Sequence, residues 1–391
     1  MKVNSKLIEI AEKFKDEDVY DIGLKLKQLN IEEKTIILNY INAWKKLKIK
    51  IPSWAGKTLN FPSKLSLEQS SSEATAKYKA SLYNGKLMLD MTCGFGIDSY
   101  FFSENFNQVK SIEANTNLAE IVKSNFKTLE KSNVDVINND SSEYLKSTNL
   151  HFDLIYADPD RRPEAKNTAF RLEDASPNII EIWDLMLEKS AHILIKCSPM
   201  ADIHYLVNSL SHVYKISVVA VDNECKEVLV HASKNFQKAY IIELVDLHEN
   251  NVENKLEFNW DDELKADLKT SNTGNYIYEL PKSWTKAGLS KLPCKWFPLK
   301  KISANTNWYF SDDLIENFYG KKYEVLKFYI FKNKELKKVF KKKKFNIKTK
   351  NFPYSINEIK NLLGVEEGGS EFLFFYTNQD KQLIMLHARK A

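Results

Sequence analysis

The ten residues LMLDMTCGFG, positions 87–96, constrain the fold of this chain more than any other stretch. An apolar run ends in Asp90, and a short turn containing Gly94 and Gly96 follows. That order predicts a β-strand feeding a tight turn and then a helix. The glycines permit positive φ and bring backbone close to a ligand. The free N–H groups of the helix that starts near Ile97 face the same turn. A second apolar run, LIYADPDRR at 154–162, leads into an acidic, proline-stiffened loop.

Between and beyond these two runs the chain alternates in βα fashion. Strands are expected over 86–90, 109–113, 134–138, 152–157, 191–197, 215–221, 227–231 and 238–244. Helical stretches separate most of them, at 96–104, 116–129, 142–146, 179–187 and 203–210. Apolar strands divided by helices indicate a mostly parallel sheet covered on both faces, and the closely spaced last strands suit an antiparallel edge hairpin. The expected fold class is α/β, with a Rossmann-like core, an N-terminal helical region and small C-terminal α+β parts. Residues 1–60 read as three helices, the second over 19–29 and the third with Ile36, Ile37, Tyr40, Ile41 and Trp44 on one face. Ser70 and Glu73 have capping-box spacing ahead of a helix over 71–83. The domain reading is helical 1–60, core 61–250, a small α/β unit of ferredoxin-like type at 275–319, and a final domain at 320–391. In that last domain, strands are expected at 324–331, 372–377 and 382–387, with a helix over 356–363 and a tight turn at Gly368 and Gly369.

Acids recur where strands end. Glu113 follows Asp90 by 23 residues and has the geometry to accept from both hydroxyls of a ribose. Asp140 ends the third strand beside Ser141 and is placed to accept from an adenine amine. The turn lacks the third glycine of a dinucleotide fingerprint, since Ser99 stands there, and no GKS or GKT follows. An acid beside the turn suits a cationic ligand better than a phosphate. S-adenosylmethionine carries a sulfonium and an ammonium and no phosphate, so it is the expected cofactor. The cofactor set is Asp90, Thr92, Cys93, Gly94, Gly96, Glu113, Asp140, Ser141 and Asp158.

With these pieces in order, the chain resembles class I S-adenosylmethionine-dependent methyltransferases. More narrowly it resembles a bacterial methyltransferase-fold family with a THUMP-like C-terminal domain. LEQSSSEATAKYKA, DPDRR, IKCSP, DNECKE and NFPYSINEIKNLLGVEEGG carry that likeness. The resemblance covers nearly the whole chain and implies a methyltransferase core with small appendages. It also implies a catalytic loop at Asp158, Pro159, Asp160 and Arg161. In amino-methyltransferases the matching loop is Asn or Asp, Pro, Pro, aromatic. Here Asp160 replaces the second proline and Arg161 the aromatic, which removes a stacking ring. Asp158 remains suited to accept a hydrogen bond from a nucleophilic nitrogen, while Arg161 and Arg162 suit phosphate. Cys197, beside Lys196, occupies a position like the nucleophile of RNA uracil-C5 methyltransferases, with a buried structural cysteine as the simpler reading. Residues 222–227 read as a pocket-shaping loop or a polar hairpin turn. Phe170, Arg171 and Trp183 are candidate substrate contacts, with core packing the simpler role for Trp183.

Charge and composition narrow the partners. Lys and Arg total 57 against 52 Asp and Glu, a net +5. Residues 332–350, which begin at Lys332 and end at Lys350, hold ten lysines and one glutamate. Such local density attracts polyanions, although a solvated lysine-rich surface explains it as well. The THUMP-like part implies similarity to an RNA-binding module, and Phe345 and Tyr354 are candidate stacking rings. The expected partner is RNA, ribosomal or transfer, contacted by Arg161, Arg162 and the basic segment. Alternatives are a protein or small-molecule acceptor, or an RNA-binding assembly protein with a degenerate core. Four separated cysteines without a CxxC pair and scattered histidines argue against a metal requirement. The absence of a signal-like apolar segment or a membrane-length run gives a cytoplasmic expectation.

Overall fold

The computed structural model describes residues 5–17, 21–22, 26, 30–62, 70–161, 171–236, 239–248 and 251–391. Most of the helix expected over 19–29 (all but residues 21, 22 and 26), Arg162, Phe170 and the side chain of Arg161 lie outside the described residues. The chain divides into two compact units, one of Met1–Asp222 with Lys226–Lys255 and one of Asn223–Cys225 with Leu256–Ala391.

In the first unit the apolar runs become β1 (Gly85–Asp90), β2 (Phe106–Glu113), β3 (Val134–Asn138) and β4 (Phe152–Ala157). A two-stranded ribbon follows, β5 (Asp160–Arg161) against β6 (Ala175–Ser176). Then come β7 (Ser190–Cys197), β8 (Val213–Val221), β9 (Glu224–Ala232), β10 (Ile241–His248) and β11 (Asn251–Phe258). The nine long described strands form one sheet, ordered β11-β10-β8-β9-β7-β4-β1-β2-β3. Strands β3, β2, β1, β4 and β7 run parallel, and β9 is antiparallel to β7. The order reverses between β1 and β4, so their carboxyl ends splay apart into a crevice where open α/β sheets hold ligands. Within 222–227, Asp222 and Asn223, both at positive φ, form the tight two-residue turn between β8 and β9, and Glu224 onward is already strand β9.

The N-terminal region, read from the sequence as a domain of its own, shares a hydrophobic core with this sheet. Helices Ser5–Phe14 and Ile31–Lys50 bury Leu7, Ile37, Ile41, Trp44 and Leu47 in the same cluster as Met88, Phe95 and Tyr156. Asn30 and Glu33 close a capping box at the start of the longer helix, a device worth about 1 kcal/mol. The box predicted at Ser70 and Glu73 is instead made by Ser72 and Thr75, and the helix spans Glu73–Ser81. Glu73 is engaged elsewhere, by the Ser53 amide at 2.9 Å and Lys77 at 2.6 Å.

The second unit is built on β12 (Tyr276–Glu279), β13 (Lys300–Ser303), β14 (Thr306–Ser311), β15 (Lys321–Ile330), β16 (Lys344–Lys350), β17 (Glu366–Thr377) and β18 (Leu383–Lys390), in the order β13-β14-β12-β15-β18-β17-β16. Strands from both sides of position 320 pair here, β12 with β15, so the two segments separated in the sequence reading share one sheet. Helices Asn333–Phe340 and Ile356–Leu363 pack Leu336, Phe340, Ile359 and Leu363 with Phe345 and Phe375. Phe345 is therefore core and not a stacking ring, whereas Tyr354 is 38% exposed. Strand β16 hides within the lysine run because its outward lysines mask the inward Phe345 and Ile347. Gly368 and Gly369 do not form a turn between strands. They lie inside β17, where its register against β16 jumps from Glu367 to Phe372. No described helix is long and apolar enough to cross a membrane.

Candidate functional site

The carboxyl ends of β1 to β4 border a cavity of about 570 Å³. Its described lining includes five carboxylates, Asp98, Glu113, Asp140, Asp158 and Asp160, and no lysine or arginine. Thr92, Cys93 and Gly94 of the turn and Ser141 beyond β3 also line it.

The two glycines act differently. Gly94 has φ +53°, and a Cβ there would meet nothing nearer than 4.0 Å, so its open side faces space. Gly96 has φ +82°, and a Cβ would stand 2.7 Å from Phe126 and 2.9 Å from Val122. Its close approach is to the helix Thr116–Thr128 and not to a ligand, which corrects the expectation for Gly96. Phe95 between them packs against Trp54 and, ring over ring at 5.7 Å, against Phe61. The N-terminal region thereby buttresses the turn.

Glu113 holds the turn from the second strand. Its carboxylate accepts from the Gly94 amide at 3.0 Å and the Asn115 amide at 2.8 Å. Each oxygen keeps a further lone pair, enough for two hydroxyl donors. Burial pushes this carboxyl up, outweighing the amide bonds from Asn115 and Gly94, and the nearby Asp160 charge adds to the rise. Asp140 caps the helix Ser141–Ser147, and one of its oxygens accepts from the Ser142 and Glu143 amides.

Asp90 departs from its expected role. It is fully buried and does not line the cavity. Its carboxylate accepts from the Thr92 amide at 2.9 Å and the Ser99 hydroxyl at 2.5 Å, turning inward to brace the loop. Burial pushes its pKa up to about 7, against hydrogen bonds from Ser99 and Thr92 and with help from the charges of Asp98 and Asp158. A carboxyl whose folded pKa is raised contributes most below its unfolded value, near 3.8, and loses that contribution as pH rises through about 7. Asp90→Asn removes the titration. Its melting temperature is expected to gain on wild type as pH goes from about 5 to about 8. A gap independent of pH would contradict the buried-carboxyl account.

On the fourth strand, the Asp158 amide donates to Thr92 Oγ1 at 2.7 Å, tying the catalytic-loop candidate to the glycine turn. The Asp158 carboxylate pairs with the Lys196 ammonium. Pro159 is buried, and Asp160 starts the short β5–β6 ribbon. Burial raises the Asp160 carboxyl and the Asp158 charge adds to it, against Lys196. Arg161 contributes backbone to the ribbon. Cys197 is 2% exposed and does not line the cavity. Burial pushes its thiol well up, Asp158 adds to this, and Lys196 fails to offset them. The Lys196 ammonium pulls the thiol down but is outweighed, which accords with the simpler reading of a buried structural cysteine. Trp183 is core, its indole N–H donating to Ser211 at 3.2 Å.

Sequence reasoning missed the wall formed by Ser71, Lys79, Asp98, Tyr156 and Glu227. Lys79 is wholly enclosed and donates to Ser71 Oγ at 2.9 Å and to the two Glu227 oxygens at 2.9 and 3.1 Å. Asp98 accepts from Ser71 and Tyr156 hydroxyls, each at 2.8 Å, through one oxygen. Burial raises the Asp98 carboxyl, but Lys79 and then Lys196 outweigh it and hold it below the ordinary carboxylate range. Glu227 moves the other way: its burial wins over Lys79 and Lys196. The one local signal was an acid in the first turn of a helix, which a helix dipole explains unaided.

A family model described as THUMP domain-like matches residues 320–390. No curated protein sequence matches the chain. Among solved structures, a protein of Porphyromonas gingivalis W83, provisionally described as a methyltransferase, is 29% identical, with 99% of this chain and 98% of that one covered and a TM-score of 0.87. An rRNA methylase of Streptococcus thermophilus matches at 13% identity over 42% of this chain and 95% of its own, with a TM-score of 0.32. TrmK of M. capricolum, in complex with S-adenosyl-homocysteine, matches at 16% identity over 41% and 68%, with a TM-score of 0.32. The whole-length match is the one that bears on this fold. With that likeness and this strand order, the chain has a class I methyltransferase fold carrying a THUMP-like domain at its C-terminus.

Proposed function

We propose that the protein is an S-adenosylmethionine-dependent methyltransferase acting on RNA by direct methyl transfer. The acidic cavity carries this reading: five carboxylates and no described lysine or arginine line it at the carboxyl ends of β1 to β4, and only Asp98 and Asp158 of the five meet an ammonium behind the wall, Lys79 and Lys196. A dinucleotide or nucleoside triphosphate would bring phosphates against those acids, whereas a sulfonium and an ammonium bring positive charge. The open side of Gly94 accommodates the ligand's approach, Glu113 takes the ribose hydroxyls, and Asp140 with Ser141 lies toward the adenine. Bound there, the cofactor supplies an activated methyl group together with its leaving group.

The chain's own task is then alignment, a contribution worth several kcal/mol when geometry is fixed. Asp158 orients the acceptor nitrogen and takes a hydrogen bond from it, held in place by Lys196 and by its amide bond to Thr92. Pro159 stiffens the loop, while Asp160 and Arg161 border the acceptor side. A covalent route through Cys197 is disfavoured by the enclosure of its thiol.

RNA is supported as acceptor by the THUMP-like match and by the charge of the basic segment. Eight of its ten lysines, Lys332 to Lys344, are exposed, while Lys348 pairs with Glu279 at 2.6 Å and Lys350 donates to the Asn307 carbonyl at 2.9 Å. Tritiated S-adenosylmethionine offered with total RNA and, separately, total protein tests the proposal. The expected result is label in RNA, with calorimetric binding of S-adenosylhomocysteine. Label in protein alone would overturn the acceptor. Absence of cofactor binding would overturn the activity. Mass spectrometry of nucleosides from a deletion strain beside its parent then names the methylated atom.

A further inference from the structure

The last two lysines of the basic segment differ from the eight exposed ones. Lys348 and Lys350, on β16, are half-buried and lie over aromatic rings of the second unit. The Lys348 ammonium is 5.6 Å from the ring centre of Tyr323 and 5.9 Å from those of Phe372 and Phe374. The Lys350 ammonium is 5.2 Å from the ring centre of Trp308. Glu279, on β12, is the acid they share. One of its oxygens accepts from the Trp308 indole N–H at 2.9 Å. The other accepts from Lys348 at 2.6 Å and from the Tyr323 hydroxyl at 3.1 Å. Lys348 thus claims the carboxylate. Lys350 keeps one hydrogen bond, to the Asn307 carbonyl at 2.9 Å, and its two other N–H groups have no acceptor among the described residues.

The charge around Lys350 is one-sided. Of the groups that act on it most, Glu279 attracts it, while Lys282, Lys348 and Lys301 repel it. Burial pushes this ammonium down to about 8, Glu279 opposes the fall, and the three lysines add to it. Lys301 is enclosed and donates to Ser290 Oγ and the Ala304 carbonyl, each at 2.6 Å. Lys282, at the start of the helix Lys282–Lys286, is exposed and has no ion pair among the described residues. A half-buried ammonium with unspent donors and excess like charge is costly, and an anion relieves both costs at once. A neutral ligand brings no counter-charge. Trp308 and Tyr323 are each 1% exposed, so they offer no face for a base to stack on. A ligand here is held by its phosphate and not by its base.

We propose that Lys348 and Lys350, with Lys282 acting on the same place, form a seat for a backbone phosphodiester of the RNA acceptor. The proposal rests on the RNA reading and is independent of the methyl-donor cavity, which lies in the first unit. The eight exposed lysines supply a diffuse field, whereas this seat fixes one phosphate. Glu279 is a positioning residue, holding Lys348 in concert with Trp308 and Tyr323.

Fluorescence anisotropy of the full chain with a single-stranded oligouridylate of about ten nucleotides tests the seat. Lys350→Met is expected to weaken binding about tenfold, the size of one hydrogen bond to a charged group. It should also lower the slope of log affinity against log salt by about 0.7, one phosphate contact on a single strand. A lysine that only seals the sheet leaves that slope unchanged. A phosphodiester keeps its charge from about pH 7 to about pH 9, so wild-type affinity should fall several-fold over that range as Lys350 loses its proton. Burial raises the Glu279 carboxyl, but Lys348 and Trp308 outweigh it and hold it ionised, and burial pushes the Tyr323 and Tyr376 hydroxyls up, out of the range. Burial also lowers Lys301, so Lys350→Arg separates the two: a permanent charge at 350 should remove most of the fall.

If Lys350→Met does not fold, the wild-type and Lys350→Arg pH series carry the test. A folded Lys350→Met chain with wild-type affinity and salt slope overturns the seat, as does a Lys350→Arg chain whose affinity falls with pH as the wild type's does. Inorganic phosphate and oligoglutamate are the competing arms. Lys350-dependent binding of either, with oligouridylate binding independent of Lys350, overturns RNA as the occupant. Wild-type protein that binds no oligouridylate removes the RNA reading and the seat with it, while S-adenosylhomocysteine binding reports on the methyl-donor reading separately.

Discussion

Asp158→Ala is expected to lower methyl transfer to RNA by about 100-fold or more, the usual scale for a positioned acid–base group. Affinity for S-adenosylhomocysteine should stay within about tenfold of wild type, since the other cavity acids remain. The physical reason is the position of Asp158, at the end of β4, tethered through its amide to Thr92 and through its carboxylate to Lys196. Those two anchors leave it little freedom, so an acceptor nitrogen meets a pre-set oxygen. Loss of the carboxylate frees the Lys196 ammonium, but Asp98 and Glu227 act on the same group and limit the damage to the fold. Single-turnover transfer of tritiated methyl groups, with calorimetry on the same preparation, separates chemistry from binding. Labelling that survives the substitution would move the catalytic role away from this loop.

Gly96→Ala is expected to cost about 2–5 kcal/mol of stability, from left-handed backbone strain of about 1–2 kcal/mol and overpacking of about 1–3 kcal/mol. The new methyl group would press on Phe126 and Val122, which are buried and have little room to yield. Gly94→Ala makes the contrast. It bears the strain of its φ but extends into open space, so its main expected effect is a loss of cofactor affinity. Urea denaturation and S-adenosylhomocysteine binding of the two variants should therefore rank them in opposite orders. A Gly96→Ala protein with the wild-type unfolding midpoint would contradict the packing role.

The contrast between these glycines also marks how far the sequence could be read. Both stood in one motif and both read as ligand-facing, yet the helix Thr116–Thr128 claims Gly96. Asp90 read as the acid facing a cation, and it proves to be the inner brace of the turn. Its neighbour Asp98 faces the cavity and passed as an ordinary helix-start acid. Phe345 and the strand around it were concealed by lysines, because alternation of one apolar face with exposed charge resembles a solvated basic run.

What the sequence alone determined is the order of apolar strands and helices, the glycine turn, and the acids at successive strand ends. Those features are local: strand and helix periods, turn chemistry and strand termini are written in neighbouring residues. Tertiary structure decided which acid faces the cavity and which is buried, that Lys79 is enclosed beside Glu227, 148 positions away, and that the N-terminal helices share the core. Burial and charge pairing depend on residues far apart in the chain, and the exposure of a carboxylate or an ammonium is set by what packs over it. A lysine in EATAKYKA reads as solvent-facing until Glu227 and Asp98 close around it.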